Sequence, residues 1–523
     1  MSALTVDELS TTTLSLNDVN WPTGTNLASV GNVSVSLSDS SDYWGNEQVI
    51  DADSVVMGGE FGTSVEYSAD GQYAVVGSPL TDSGRGYIYK KSETTLVQEA
   101  ILLPSAAEGG DAIGGSCAIS ADGKYAALGA TGNGGKVFVF SRNGSTWVEH
   151  ATLSVASGSI NFGVAVSLDS DGSRIVIGAN TVDTDKGAVY VFKRTADTWA
   201  LEGTLTASDR GTTGDEGEFG SSLHITPLGT RIVVGAPAAV IDEGGGVARG
   251  QVYIYNITDG GWVEAAAVLS LSSPADNDRF GSDVKISADG TMVLASRIGA
   301  DGFVDCFSSS DSWETSTHLT DGNSIVRSDA ANENFGEKIT LSLDARYLAV
   351  SAKTTGDAGH VYLFKRMDKG AVWVQLQKLT TGNVDAGGEY SAAISLSGDA
   401  TCLMVGAPAY GTNDDGRIFN YNSSDNVPHK LQLTERTVDN GAALTMADTT
   451  GFYIYAGTPT EATTINLPST RTDGRIVAIY FETGTGAHTI AFPSTNFNTA
   501  AVLMDNVYRF MYVSATDEWY QLQ

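Results

Sequence analysis

Apolar residues in this chain come in short runs of strand length, separated by Gly, Asp, Asn and Ser. Some runs are apolar almost throughout, as in Tyr73-Ala74-Val75-Val76-Gly77. That pattern suits a strand covered on both faces. Others carry an aromatic at alternate positions: Val137-Phe138-Val139-Phe140, Val189-Tyr190-Val191-Phe192, Val252-Tyr253-Ile254-Tyr255 and Val361-Tyr362-Leu363-Phe364. The runs predict an all-β chain of many short strands joined by turns.

The runs recur in register. The pair Phe61-Gly62 returns as Ile113-Gly114, Phe162-Gly163, Phe219-Gly220, Phe280-Gly281, Phe335-Gly336 and, degenerately, Tyr390-Ser391, at intervals of 49 to 61 residues. Four positions after each anchor stands an apolar residue: Val65, Cys117, Val166, Leu223, Val284, Ile339 or Ile394. At nine and ten come turn residues, as in Asp70-Gly71, Asp122-Gly123, Asp171-Gly172 and Asp289-Gly290, with Leu228-Gly229, Asp344-Ala345 and Asp399-Ala400 as variants. At sixteen comes a small residue: Gly77, Gly129, Gly178, Gly235, Ser296, Ser351 or Gly406. Seven copies without a slip make the repeat the dominant signal in the chain.

Each copy reads as a meander of four strands. Strand A follows the anchor, an Asp-Gly-type turn leads to strand B, and a longer loop leads to strand C. Strand D is opened by Trp147, Trp199, Trp262, Trp313 or Trp373, and by Leu96 in the first copy. One such sheet cannot cover both its faces, whereas seven standing radially can, which predicts a seven-bladed β-propeller. The last copy ends after strand C at Ile418-Phe419-Asn420-Tyr421, while Trp44-Gly45-Asn46-Glu47-Gln48-Val49-Ile50 precedes the first anchor and has the strand D pattern. Residues 44–50 are therefore expected to supply the outer strand of the last blade.

Anchor, turn and the Gly-Ala-Pro segments (Gly235-Ala236-Pro237, Gly406-Ala407-Pro408 and Gly77-Ser78-Pro79) together resemble the FG-GAP repeat, known from the integrin α-subunit propeller and many microbial propellers. The resemblance spans residues 44 to about 425 and implies adhesion or ligand binding, usually without catalysis. Calcium-binding members of the family carry a long Asp-rich loop between strands A and B. Here that connection is a tight turn such as Ser68-Ala69-Asp70-Gly71-Gln72, one carboxylate where calcium takes six to eight oxygens. No metal site is carried over, and the Asp of each turn reads as a turn former. Asp183 and Asp185 read as a solvated loop ahead of a second cation candidate.

In a meander the A–B and C–D turns share one face of the disk, and the B–C loops and D–A crossings share the other. The second set is longer and more varied, and extra loop length on a rigid scaffold is where binding tends to sit. The candidate ligand contacts there are Arg85, Arg210, Arg249, Tyr410, Asn413, Asp414 and Asp415, a mixture of carboxylates, amides and aromatics suited to sugars.

The organisation expected is an arm over 1–42, the propeller over 43–425 and a smaller β-rich unit over 429–523. The arm, with strand-like Val33-Ser34-Val35-Ser36-Leu37, reads equally as a segment that docks on a partner or as a flexible leader. In the last unit, Ala442-Ala443-Leu444-Thr445 and its following strand, Thr464-Ile465-Asn466-Leu467-Pro468, Arg475-Ile476-Val477-Ala478-Ile479-Tyr480-Phe481 and a close at Glu518-Trp519-Tyr520 resemble the small β-sandwich found at the ends of bacteriophage fibre and other virion proteins. That resemblance implies a virion component, homo-oligomeric, with other virion proteins and a host-surface glycan or receptor as partners.

Composition narrows the functional classes. With 62 acidic against 30 basic residues the formal net charge is −32, which repels phosphate backbones and anionic membrane surfaces, so nucleic acid is not an expected partner. No apolar run reaches the length of a bilayer span, and the N-terminus lacks the basic and apolar regions of a secretory signal. Cys117, Cys306 and Cys402 are too few for a disulfide scaffold, and Cys117 and Cys402 fall at apolar strand positions. Six histidines lack metal spacing, and there is no nucleophile elbow, P-loop or Cys-x-x-Cys. No catalytic residue and no cofactor is expected. Three readings stand: a non-enzymatic phage structural protein of a tail fibre or appendage, an adhesin of the FG-GAP type secreted or held on a microbial surface, and a polysaccharide-degrading tailspike.

Overall fold

Side chains set the strand geometry blade by blade in a computed structural model that describes residues 44–51, 58–155, 161–209, 217–240, 248–271, 275–299, 302–309, 313, 318–319, 323–325, 334–353, 359–366, 373–383, 387–411 and 413–423, with short strands outside that range. Blade 1 runs Ser64–Tyr67, Tyr73–Ser78, Arg85–Ser92 and Thr95–Leu102, each antiparallel to the next. Blade 2 (Ile113–Ile119, Tyr125–Ala130, Lys136–Asn143, Thr146–Leu153), blade 3 (Val166–Leu168, Arg174–Ala179, Ala188–Thr195, Thr198–Leu205) and blade 6 (Asn334–Leu341, Tyr347–Lys353, His360–Arg366, Trp373–Leu379) repeat that order. In blade 4 (Ser222–Ile225, Arg231–Ala236, Gln251–Thr258) the outer strand is broken into Gly261–Glu264 and Val268–Leu269. Each inner strand contacts the next, and the inner strand of blade 7 returns to that of blade 1, so the fold is a closed seven-bladed propeller.

The last blade consists of Ala393–Leu396, Cys402–Ala407, Arg417–Ser423 and, as its outer strand, Trp44–Ile50. Trp44 faces Ser423 and Ile50 faces Ile418, so the beginning of the ring closes its end as the sequence predicts. Trp44 is buried against Ala349, Leu403 and Phe419 and meets the Tyr347 ring edge-on at 5.5 Å.

The closing strand is also held by amides. Gln48 accepts the Leu96 N–H at 2.7 Å and donates to the Leu96 carbonyl at 2.9 Å. Gln377 of blade 6 treats Trp44 in the same way, at 2.9 and 3.0 Å. Each glutamine thus acts as one extra residue of backbone laid across a blade boundary.

The core lies between blades rather than within them. Ala118, Ala127 and Val137 of blade 2 pack with Ile175, Ile177 and Phe192 of blade 3, and Phe61, Val76 and Tyr87 of blade 1 pack with Met404 and Ile418 of blade 7. The aromatic anchors are buried against aromatics of their own strand C, as Phe61 on Tyr87 at 5.1 Å, Phe219 on Tyr253 at 5.4 Å and Phe280 on Phe307 at 5.8 Å.

The small residue sixteen positions after the anchor marks where two blades touch. A Cβ on Gly235 would overlap the carbonyl oxygen of Gly281 in blade 5, and one on Gly77 would overlap that of Gly114 in blade 2. The same carbonyls accept neighbouring hydroxyls, from Ser222 to Gly281 at 2.8 Å and from Ser64 to Gly114 at 2.8 Å. A further glycine column, unread in the sequence, precedes strand C: Gly84, Gly135, Gly187, Gly250, Gly302, Gly359 and Gly416. Each sits on the backbone of the next blade's anchor, as Gly416 on Phe61 and Gly250 on Phe280, leaving no room for a Cβ.

Blade 5 (Val284–Ile286, Met292–Arg297, Phe303–Ser308) corrects one reading. Its outer strand is Asn323–Ile325, not a segment opened by Trp313. Trp313 has a left-handed φ of 71°, is buried, accepts the Ala267 N–H on its carbonyl and donates its indole N–H to Gly290. The tryptophans of blades 2, 3 and 4 follow the first strand C valine by ten positions, but Trp313 follows Val304 by nine. A one-residue slip turns a side chain to the opposite face of a strand.

The chain divides into two compact units, Met1–Ser424 and Asp425–Gln523. In the second, Leu444–Thr445, Thr464–Asn466, His488–Ala491 and Ala500–Val502 form one sheet. Phe452–Tyr455, Ile476–Phe481, Val507–Val513 and Glu518–Leu522 form another. Before the ring, Glu8–Ser10 pairs with Thr13–Ser15, and the strand expected at Val33–Leu37 lies outside the described residues.

Two substitutions test this assembly. Trp44→Ala is expected to lower the unfolding free energy of the propeller by about 3–5 kcal/mol through the cavity it leaves, read by urea denaturation. Gly235→Ala should cost at least ~1–3 kcal/mol because blades 4 and 5 must part, whereas Gly382→Ala, with open space around it, should stay within ~0.5 kcal/mol of the parent.

Candidate functional site

Strand A places alternate residues on opposite sides, and the fifth position after each anchor turns toward the next blade. Those residues are Glu66, Ala118, Ser167, His224, Lys285, Thr340 and Ser395. Five of them accept a backbone N–H from the strand A of the next blade. Glu66 takes that of Ile119 at 3.2 Å, Ser167 that of Ile225 at 3.3 Å, and His224, through Nδ1, that of Ile286 at 3.3 Å. Thr340 takes that of Leu396 at 3.0 Å, and Ser395 that of Tyr67 at 2.9 Å. Ala118 and Lys285 have no acceptor to offer. The column is a ring of blade-to-blade hydrogen bonds, hidden in the sequence because acid, imidazole, hydroxyl and amide-free positions share nothing but the ability, or inability, to accept.

Six of these side chains, all but Ala118, line an axial cavity of about 210 Å³. Apolar Val65, Val166, Leu223 and Ile394 line it as well, with Ala69, Ala121, Ser170, Pro227, Ala288, Leu343 and Gly398 of the A–B turns around its mouth. Its titratable lining groups are Glu66, Tyr67, Cys117, Asp169, His224 and Lys285. Burial pushes the Glu66 carboxyl up to about 7, against the opposing pull of Lys285 and of the Ile119 N–H. Burial, helped by the positive charge of Lys285, takes His224 down to about 3, against the Ile286 N–H. His224 is therefore neutral at physiological pH, and with Nδ1 accepting, its proton sits on Nε2.

The turns at the mouth are self-contained. Asp70 accepts the Ser68 hydroxyl at 2.6 Å and the Gln72 N–H at 3.0 Å, and Asp122, Asp289, Asp344 and Asp399 do the same in their blades. Each of these carboxylates forms the turn, as the tight spacing implies. Among the described residues no group of three His, Cys, Asp or Glu is placed to hold a metal ion.

The loop-face residues named from the sequence fall in three places. Arg85 opens strand C of blade 1 and pairs with Asp82 at 3.7 Å. Arg249 ends the B–C loop of blade 4 and pairs with Asp276 at 3.2 Å. Tyr410, Asn413, Asp414 and Asp415 share the B–C loop of blade 7, where the Asp414 and Asp415 carbonyls accept the N–H groups of Glu60 and Phe61. The Asp415 carboxylate also accepts the Gly58 N–H at 3.3 Å. Arg417, not singled out from the sequence, lies 3.8 Å over the Tyr410 ring and forks onto Asp51 at 2.7 and 3.0 Å. Arg210 lies outside the described residues. Blades 7 and 1 thus gather Tyr410, Asp414 and Asp415 into one seam, while Arg249 sits on the joint between blades 4 and 5.

Residues 146–192 match the family model of the FG-GAP repeat. Among curated proteins, none matches the chain. The matched segment begins on strand D of blade 2 and ends on strand C of blade 3. The chain itself enters the ring in that same phase, at the strand D of Trp44, and the other blades repeat the fold of the matched segment.

Two perturbed groups of the cavity pull stability in opposite directions with pH. Glu66 holds its proton more tightly folded than unfolded, so its contribution is present at low pH and is lost as pH rises from about 4.5 to 7. His224 holds its proton less tightly folded, so its contribution is present above about 6.5 and is lost as pH falls toward 3. Between 4.5 and 6.5 they offset. Glu66→Gln, which keeps an acceptor for Ile119, should expose the His224 slope as a steeper fall in Tm on acidification through that window; a Tm profile parallel to the parent's would contradict the assignment.

Proposed function

We propose that this chain is a non-enzymatic attachment protein of a bacteriophage particle, its propeller displaying loops that bind a host-surface glycan or receptor. The observation that carries the reading is the way each B–C loop ends. Its last residue is a glycine seated on the anchor of the next blade, and in blades 1, 3, 4 and 7 the residue before that glycine accepts the anchor N–H. The loop is thereby clamped at its base, and length added before the clamp leaves the ring unchanged. Blade 4 uses this freedom between Pro237 and Arg249, where blade 2 spans only Thr131 to Gly134.

An FG-GAP-type ring fits an adhesive role. The formal charge of −32 favours neutral or cationic surfaces over polyanions. The placement on a virion rests on the order of strand motifs after residue 429. Aromatic Tyr410 with its stacked Arg417 and the carboxylates of Asp414 and Asp415 suit a sugar, through ring stacking and hydroxyl acceptance.

Replacing 238–248 and, separately, 409–415 by the short loop of blade 2 should leave the Tm within a few degrees and abolish binding of purified protein to host cells. Retention of binding by both variants would remove this face from consideration. Detection of the chain in purified virions tests the placement, and release of reducing sugar from host glycan by the parent protein would replace attachment with hydrolysis.

A further inference from the structure

The polar groups facing the axial cavity are mostly donors that lack an acceptor. The Ser167, Thr340 and Ser395 hydroxyl oxygens are occupied by backbone N–H groups. Each retains an O–H that donates to nothing among the described residues. His224 turns its Nε2–H away from the Nδ1 atom that takes Ile286. The Lys285 ammonium makes no hydrogen bond and no ion pair among the described residues. Against these five stand two carboxyls: Glu66, with one oxygen taking the Ile119 N–H, and Asp169, whose oxygens are committed to Ser173 and Arg174.

We propose that the axial cavity is a binding site for a small aliphatic monocarboxylate, its oxygens held by Lys285, His224 Nε2–H and the surrounding hydroxyls, and its tail lying against Val65, Val166, Leu223 and Ile394. Size and polarity both agree. A cavity of roughly 150 Å³ accepts benzene, so about 210 Å³ holds a short-chain acid. Donors and apolar side chains lining one cavity match a head group and a hydrocarbon tail. A single ammonium selects a monoanion over a dianion, because the second charge would be buried without a partner.

The charge state of the cavity sets when the site is open. The groups facing Lys285 are Glu66 of blade 1, His224 of blade 4 and, at the turn level, Asp169 of blade 3. The Asp169 carboxylate is committed to the N–H groups of Ser173 and Arg174 and to the Ser173 hydroxyl. The Tyr67 phenol is spent on Asn420, and the Cys117 thiol is held protonated by burial. His224 stays neutral throughout, so Glu66 alone decides. Protonated, it leaves Lys285 needing a counter-ion; ionised, it supplies that counter-ion and competes with the ligand. Affinity should fall as Glu66 ionises, about tenfold between pH 6 and pH 8 for a midpoint near 7.

Titration calorimetry of the full chain with sodium butyrate, against sodium chloride at equal ionic strength, tests this. The expected result is one saturable site at pH 6 that weakens about tenfold at pH 8 and is lost in Lys285→Met. In Glu66→Gln the affinity at pH 8 should match that at pH 6. The Tm of each variant without butyrate verifies that the ring is intact, and Glu66→Gln keeps the test decisive even where Lys285→Met unfolds. No saturable heat at pH 6 in either the parent or Glu66→Gln would overturn the proposal and leave the cavity to water, as would equal binding by a folded Lys285→Met.

Discussion

The structure depends on how closely two blades can approach, and that distance is set by backbone meeting backbone. At Gly77, Gly129, Gly178, Gly235 and Gly406 the α-carbon lies so near the carbonyl of the next blade's second anchor residue that a methyl group has nowhere to go. The same holds further out, where Gly84, Gly250 or Gly416 rests on the next anchor itself. Close approach brings the apolar faces of neighbouring strands B and C into contact, so the hydrophobic stabilisation of the ring is available only because those positions carry no side chain. Where blade 5 has Ser296 and blade 6 Ser351, the hydroxyl takes an N–H of Asp283 or Lys338, so the larger residue stays within its own blade's hydrogen bonding.

Closure raises a different problem, since the strand that completes blade 7 arrives from the other end of the ring. Hydrophobic contact alone specifies such a register weakly. Strand C of blade 7 carries Asn420 where other blades carry apolar residues such as Val139, Val191, Ile254 and Leu363. Asn420 accepts the Tyr67 hydroxyl at 2.6 Å, Asn422 donates to Thr94 at 2.8 Å, and Tyr421 donates to Glu47 at 2.7 Å. Together with Gln48 and Gln377 these groups make a shifted closing strand costly, because a slip would leave several buried donors and acceptors unpaired. Here buried polarity serves specificity, and the stability of the joint comes from Trp44 and its neighbours.

The architecture was legible because its constraint is steric and therefore falls on the smallest residue types. A position that tolerates only the smallest residues writes glycine in most copies and serine in the rest, and the anchor, the Asp-Gly turn and, in most blades, the tryptophan follow a fixed spacing around it. The glycine before strand C is just as constrained but follows loops of unequal length, so it never lines up with the anchor count. Trp313 misled because the residue type persists while its spacing from Val304 is one short. The axial column was unreadable for the opposite reason: accepting a hydrogen bond can be done by Glu66, Ser167, His224, Thr340 or Ser395, and chemistry so interchangeable leaves no repeated letter. The loop-face candidates were found by loop length, which locates a surface but not a geometry, and Arg417 escaped notice because it belongs to a strand.

The same separation of constraints explains how one ring can hold two unlike surfaces. Residues that fix the blades point sideways, toward the neighbouring blade. Those on the axis and those on the B–C loops bear little of that packing. Loops gain length without moving the axis, because each is clamped by its terminal glycine before the strand begins. The axis accepts Lys285 in place of an acceptor with the loss of a single blade-to-blade hydrogen bond, worth on the order of 1 kcal/mol. In a chain of formal charge −32, that exchange sets one ammonium at the centre of an acidic molecule, facing a carboxyl that burial holds near neutrality. The position of Lys285, rather than its residue type, is what gives it chemical significance.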